Sequence, residues 1–370
     1  MYLATLRSLH GWSTAQIASA VTLCYLCSAV WVVFVGDAIE RWGPRRVVLP
    51  GCYVMALGVA LLTTATAPWH VFAAFVVMSF GWAGMSGAAV NAMVAPWFDA
   101  QRGLAISLAL NGSSCGGVFI TPLLVLMIAW LGWEAGMRWA LAGMLAVMTP
   151  VLWLVLRRRP EEFGLRPDRE PGERPGSRWV IVRDVRFLTI AVPFSLGLLA
   201  QVGFLTHQLS YLGPLVGARA AAFVVSATTI AAVAGRTLTG VVIDRLDRRA
   251  VSSANLLLQA AALVWLVTAE SAPAIYAGCV VYGLAVGNLI TLPALIVQTD
   301  FPRADFNRIV ALVVGVTYCA LAFGPAILGA MRDATGSYTT SFVLCAALDV
   351  IAAGLVLVRR RQSARTRRRG

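Results

Sequence analysis

Long apolar runs separated by short polar breaks dominate this chain. Such runs cover residues 14–36, 47–67, 71–95, 104–130 and 137–156. After one long polar stretch they resume at 187–212, 220–243, 250–269, 273–298, 308–331 and 340–358. Each is close to or above the roughly 20 residues an α-helix needs to cross a bilayer. The pattern predicts an all-α polytopic membrane protein with five spans before the break and six after it. The polar stretch 157–186 is rich in Pro, Arg and Glu and predicts a linker between two bundles, 1–156 and 187–358. A basic tail, 359–370, closes the chain.

Composition supports lipid as the solvent. Apolar residues make up 59% of the chain, charged ones 13%, and mean hydropathy is +0.77. A soluble domain carries about 25% charged residues. The net charge of +13 comes entirely from Arg, since no Lys is present. These arginines cluster between spans rather than forming a nucleic-acid face: Arg41, Arg45 and Arg46; Arg157 to Arg159; Arg245, Arg248 and Arg249; Arg359 to Arg361. By the positive-inside rule, the linker and C-terminus are cytoplasmic and the alternate loops external. The seven cysteines all lie in apolar runs, and Cys24-Tyr25-Leu26-Cys27 has redox spacing without the βαβ surroundings of a redox motif. Nothing in the chain has the spacing of a metal cluster, a cofactor loop or a nucleophile–base pair, so no catalysis, metal or cofactor is expected.

The two halves carry an internal echo. Gly36-Asp37-Ala38-Ile39-Glu40-Arg41 follows the first run, and Gly240-Val241-Val242-Ile243-Asp244-Arg245 follows the seventh. In each, an acid comes four residues after the Gly, with Arg directly behind it. Parallel repeats are a transporter design. If the halves correspond, the run 14–36 is second in its half, and a further apolar helix is expected upstream of Leu9. The orientation argument leads to the same expectation.

These residues resemble the major facilitator superfamily. Gly36 to Arg46 is similar to its loop signature, with Glu40 where Asp is usual. His10-Gly11-Trp12-Ser13, Pro96-Trp97-Phe98 with Arg102-Gly103-Leu104-Ala105, Arg159 to Asp168, and Gly324-Pro325 with Gly329, Asp333 and Gly336-Ser337-Tyr338 resemble further family segments. The set looks most like the bacterial monocarboxylate and oxalate/formate branch. The resemblance implies two helical bundles, a secondary carrier working by alternating access, a small carboxylate as substrate, a monomer, and the bacterial inner membrane. There are departures: Ala232 stands where related monocarboxylate carriers place an Asp one turn before the Arg. Gly112-Ser113-Ser114-Cys115-Gly116-Gly117 also lacks the Pro of antiporters. Rival readings are an exporter of drugs or other organic solutes, or a truncated member that does not transport.

Arg236 is the most informative side chain, since it lies inside a span with no acid on its own helix. An intramembrane Arg costs roughly 2.5–3.5 kcal/mol on insertion scales and is tolerated where it faces a cavity or a partner. Its planar fork suits a carboxylate, while a backbone carbonyl would also satisfy it. Gln201, Phe204, Gln208 and Tyr211 share one face of the preceding helix and read as cavity lining. Asn91, Asn111 and Asn288 are isolated amides that could reach substrate or a neighbouring helix. Glu40, Arg41, Arg45, Asp244 and Arg245 read as a gate at the cytoplasmic mouth. His207 beside the stripe from Gln201 to Tyr211 and Asp349 in the middle of the last run are titratable groups that could carry a proton.

Overall fold

The computed structural model describes residues 11–12, 14–98, 101–157, 162, 164 and 176–358. The residues before Gly11, Ser13, most of the stretch 158–175 and the basic tail from residue 359 lie outside the described residues. The missing-helix reading, much of the linker and the tail therefore remain expectations.

Every described element is helical. The first half contains α1 (Thr14–Trp42), α2 (Pro44–Thr63), α3 (Pro68–Gly84), α4 (Gly87–Val94) and α5 (Arg102–Val155). A short α6 (Arg178–Arg183) ends the linker. The second half contains α7 (Val185–Val216), α8 (Ala218–Val242), α9 (Arg248–Thr268), α10 (Ala272–Val286), α11 (Leu292–Asp300), α12 (Phe306–Leu321), α13 (Gly324–Thr335) and α14 (Thr339–Leu357). Helices prevail because a lipid-exposed backbone must satisfy its own hydrogen bonds. Their starts are legible locally. Pro44 and Pro68 occupy first-turn positions where a missing N–H costs nothing, and Ser86, Asp184, Asp247 and Ser271 accept from first-turn amides.

Among the described residues, ten helical runs are long and apolar enough to cross a membrane, against eleven expected. The difference lies in α5, which spans 54 residues. Straight, it would extend about 80 Å, well over twice the bilayer core. It is not straight. Gly132 sits at φ 79°, where a side chain is strained, and the chain turns back there. A Cβ on Gly136 would lie 2.9 Å from the Met127 carbonyl oxygen. In a continuous helix, residues nine apart are separated by about 13 Å. Thus α5 is two antiparallel arms, 102–131 and 133–155, matching the two expected runs.

The halves meet along two seams, α1 against α12 and α5 against α8. Within the second half, α14 packs on α9 and α7, and α10 packs on α8 and α9. Two apolar clusters fill this half. One gathers Phe187, Phe194, Leu289, Leu295 and Ile309, and the other Phe204, Tyr282, Leu263 and Phe342. Phe119, Trp130 and Trp139 point outward and are exposed, as a lipid solvent permits.

Candidate functional site

Arg236 lies on α8 with only 3% of its surface exposed. It spans the seam between the halves. Its Nε donates to the Gly287 carbonyl at 2.7 Å, and Nη1 donates to the Leu110 carbonyl at 2.9 Å and to Asn111 Oδ1 at 3.0 Å. Asn111 in turn donates from Nδ2 to Thr237 Oγ1 at 2.9 Å. Glycine makes this possible. A Cβ on Gly287 would stand 2.5 Å from the Ala232 carbonyl oxygen and 3.0 Å from Arg236 Cβ, so only hydrogen fits.

A guanidinium offers five N–H donors. Three are engaged here, and the two on Nη2 have no partner among the described residues. The protein thus holds Nε and Nη1 and leaves the Nη2 donors available. The carbonyl partner anticipated from sequence and a substrate contact are compatible, because they use different nitrogens.

The seam is shut at the end nearest the linker. At the shut end, the Asp244 carboxylate sits over the start of α5: a Cβ on Gly103 would lie 3.2 Å from Asp244 Oδ1. Farther along, Ser107 packs against Gly240, then Asn111 against Thr237. A Cβ on Gly112 or Gly116, off the face that carries Asn111, would meet nothing within 4 Å. Along α1 and α12 the closure is longer. It runs from Gly36 on the Asn307 carbonyl, through Tyr25 against Tyr318 at 5.9 Å, to Thr22 Oγ1 donating to the Ala322 carbonyl at 3.3 Å. Trp82 joins Tyr25 at 6.1 Å. The aromatic trio Tyr25, Trp82 and Tyr318 was not singled out from sequence, where lone aromatics in apolar runs carry no distinguishing signal.

The lock at the shut end differs from the expected one. Asp37 accepts from Arg178 of α6 and from Arg308 of α12, the latter at 2.8 Å. Arg308 Nη1 also donates to the Gly176 carbonyl at 2.8 Å, and the Gly176 amide donates to Asp305 Oδ1 at 2.6 Å. Glu40 accepts from Asn307 Nδ2 at 2.7 Å. Asp244 pairs at 3.2 Å with Arg248, one turn on. Glu40 with Arg41, and Asp244 with Arg245, are not the pairs formed. Neighbours on a helix point about 100° apart, which disfavours their pairing. Arg41 lies near the Trp42 ring, and Arg45 stacks over Trp153. Two expected members, Glu40 and Asp244, touch the other half; the missed members are Asp37, Arg178, Asn307 and Arg308.

The remaining candidates lie elsewhere. Phe204 is fully buried against Tyr282 and Phe342, with ring centroids at 4.4 and 5.0 Å. Gln208 donates to Thr228 Oγ1 at 2.9 Å, and Tyr211 to the Leu266 carbonyl at 2.7 Å. The stripe that began with Gln201 therefore faces the interior of the second bundle, which corrects the cavity-lining reading. A shared face does not say which neighbour it meets. Gln201 is itself buried, with Oε1 unpartnered. Asn288 donates to Asn255 Oδ1 at 2.8 Å, and Asn91 to the Gly87 carbonyl at 2.7 Å. His207 uses both ring nitrogens, on the Pro325 carbonyl and the Tyr338 hydroxyl. Of the three isolated amides, only Asn111 touches Arg236.

Comparison with known proteins is consistent with this architecture. The family model described as Major Facilitator Superfamily matches residues 1–292 and, in a second overlapping match, 212–370. The chain belongs to the major facilitator superfamily. It is 28% identical over 341 residues to the MFS-type transporter pynF of Aspergillus niger, covering 88% of this chain and 74% of that protein. It is 28% identical over 334 residues to human monocarboxylate transporter 11, covering 85% of this chain and 68% of that one. Among solved structures, the fucose:proton symporter of E. coli superposes with a TM-score of 0.75 at 14% identity, covering 97% of this chain and 94% of that one. This superfamily fold houses transporters, so the protein is a membrane transporter of many spans, and the Arg236 seam lies between the two halves of that fold.

Proposed function

We propose that this superfamily member is a secondary carrier for a small organic anion, a monocarboxylate or dicarboxylate, moved by alternating access between its halves. The observation that carries the reading is Arg236. It is a buried guanidinium at the interface of the halves, fixed by three hydrogen bonds, with two donors left for a ligand and no acid bound to it among the described residues. A charge kept there at a cost of several kcal/mol invites an anionic partner. The carboxylate would be gripped through Nη2, while the protein holds Nε and Nη1 in place.

In this account the structure is the state closed at the linker end. Asp37, Arg178, Arg308, Asn307, Glu40 and Asp244 hold that end shut and part when the carrier turns over. The clustering of Arg at that end supports placing it in the cytoplasm of a bacterium, with 1–156 and 187–358 as the moving bundles. The relative named as a monocarboxylate transporter supports the substrate class.

The test is a counterflow screen in proteoliposomes. Vesicles loaded with unlabelled lactate, oxalate, fucose or a lipophilic amine are diluted into labelled compound. Entry of a labelled carboxylate above protein-free vesicles, with none for fucose or amine, is the expected result. Exchange of the amine or the sugar without any carboxylate would overturn the reading.

A further inference from the structure

Asp349 lies near the middle of α14 and is the only fully buried acid among the described residues, with 0% exposure. Neither of its oxygens has a hydrogen-bond partner there. A Cβ on Gly197 of α7 would stand 3.6 Å from Asp349 Oδ1, and the same point meets Leu256 of α9 and Leu289 of the turn after α10. Cys345 precedes Asp349 by about one turn of α14 and is likewise buried, as is Tyr282 of α10. The Tyr282 hydroxyl and both ends of the Gln259 amide are also buried and unpartnered.

Among the described residues, the charged groups on the packed elements are occupied elsewhere, Arg248 at the start of α9 by Asp244. On α9, Arg249 binds Asp300 and the Val356 carbonyl, two turns from Asp349 toward the linker end. On α7, Arg186 pairs with Asp184, and His207 is held by Pro325 and Tyr338. On α13, Arg332 pairs with Asp333. A bare carboxylate without a cation or donors in this interior costs several kcal/mol. A neutral carboxylic acid avoids that cost.

The compartment shares a wall with the Arg236 site. The 3-10 turn Gly287–Ile290 follows α10. Its first residue accepts from Arg236, its second donates to Asn255, and its third, Leu289, meets the same point beside Gly197 as Asp349 does. Asn255 precedes Leu256, the other wall residue, and donates to the Ala285 carbonyl at 3.1 Å. Movement of this one turn would disturb both sites.

We propose that Asp349 is a proton-carrying site sealed within the second bundle, which releases its proton when the Gly287–Ile290 turn moves and so couples protonation to occupancy at Arg236. The step is simple: the carboxyl O–H bond breaks, the proton passes to entering water, and a carboxylate remains until a proton returns. The coupling, though not the proton site itself, rests on the carboxylate reading of Arg236.

The first arm of the test needs no substrate. Infrared spectra of the full chain in lipid nanodiscs at pH 7 should show the carbonyl stretch of a protonated carboxyl. That band should vanish in Asp349→Asn and shift in deuterated water within minutes. No Asp349-dependent band, or one unshifted after hours, would overturn the proposal. The second arm is lactate uptake into proteoliposomes under an acid-outside gradient of one pH unit. One proton per substrate sustains about tenfold accumulation. Asp349→Asn should lose that accumulation while keeping lactate counterflow, which also shows that it folds. Undiminished accumulation in Asp349→Asn would refute the coupling. Failure of the wild type to move lactate would instead count against the Arg236 reading, with the infrared arm still deciding Asp349.

Discussion

Removing the Asp37 carboxylate should unlock the linker end. Asp37 holds Arg178 and Arg308 together, and the three side chains keep only 29%, 30% and 16% of their surface. Fully exposed pairs contribute about 0.2–1 kcal/mol, and hydrogen bonds to charged groups about 1.5–3 kcal/mol. Partial solvation places the two contacts between these limits, at about 1–2 kcal/mol in total. Asp37→Asn keeps the shape and removes the charge. The ratio of open to closed states at this end should therefore rise roughly 5-fold to 30-fold. The assay is pulsed electron–electron distance measurement between spin labels at Arg46 and Arg245, one on each half, after the native cysteines are replaced. Asp37→Asn should add a longer-distance population, and raising the salt should shift the wild type the same way. Identical distance distributions in Asp37→Asn and wild type would refute the claim that this carboxylate holds the halves together.

Three further outcomes are expected. Arg249 is 2% exposed and binds half-buried Asp300 at 2.7 Å and the Val356 carbonyl, so Arg249→Ala should strip both of a charged donor and cost about 1.5–3 kcal/mol, read as a fall in thermal stability in detergent. Gly287→Ala should displace Arg236, because the new Cβ would fall 2.5 Å from the Ala232 carbonyl oxygen, and carboxylate counterflow should drop while Gly354→Ala, with nothing within 4 Å, leaves it unchanged. In a chain without native cysteines, Ser271→Cys should react with impermeant thiol reagents in intact cells and Ser177→Cys should not; the reverse pattern would contradict the proposed orientation.

Much of the fold was legible because lipid imposes one demand on every span. Run length and apolarity located the helices, and the break between runs 104–130 and 137–156 fell where Gly132 reverses α5. Arg236 was legible for a similar reason, since an unpaired Arg inside a run is costly wherever it points. The gate was read less well. Adjacent charges in sequence, such as Glu40 and Arg41, signal a polar end but do not face each other, whereas Asp37 meets Arg308 from 271 positions away. The stripe from Gln201 to Tyr211 shows the same limit. Period marks a shared face, but only packing decides that Phe204 meets Tyr282 and Phe342 rather than a cavity. Asn255, which ties down the turn beside Arg236, had no local signal because its partner sits 33 residues on.

The central claim is that Arg236 grips a substrate carboxylate through the Nη2 donors that the protein leaves free. The most direct measurement is lactate counterflow by wild type, Arg236→Lys and Arg236→Ala at matched protein levels in proteoliposomes. Lys keeps the charge but cannot hold the Gly287, Leu110 and Asn111 acceptors while presenting two further donors, so it should restore transport only in part. Ala removes charge and donors together, and a charged hydrogen bond of about 1.5–3 kcal/mol corresponds to a loss of apparent affinity of roughly 10-fold to 150-fold. Carboxylate counterflow by Arg236→Ala equal to that of wild type would contradict the account.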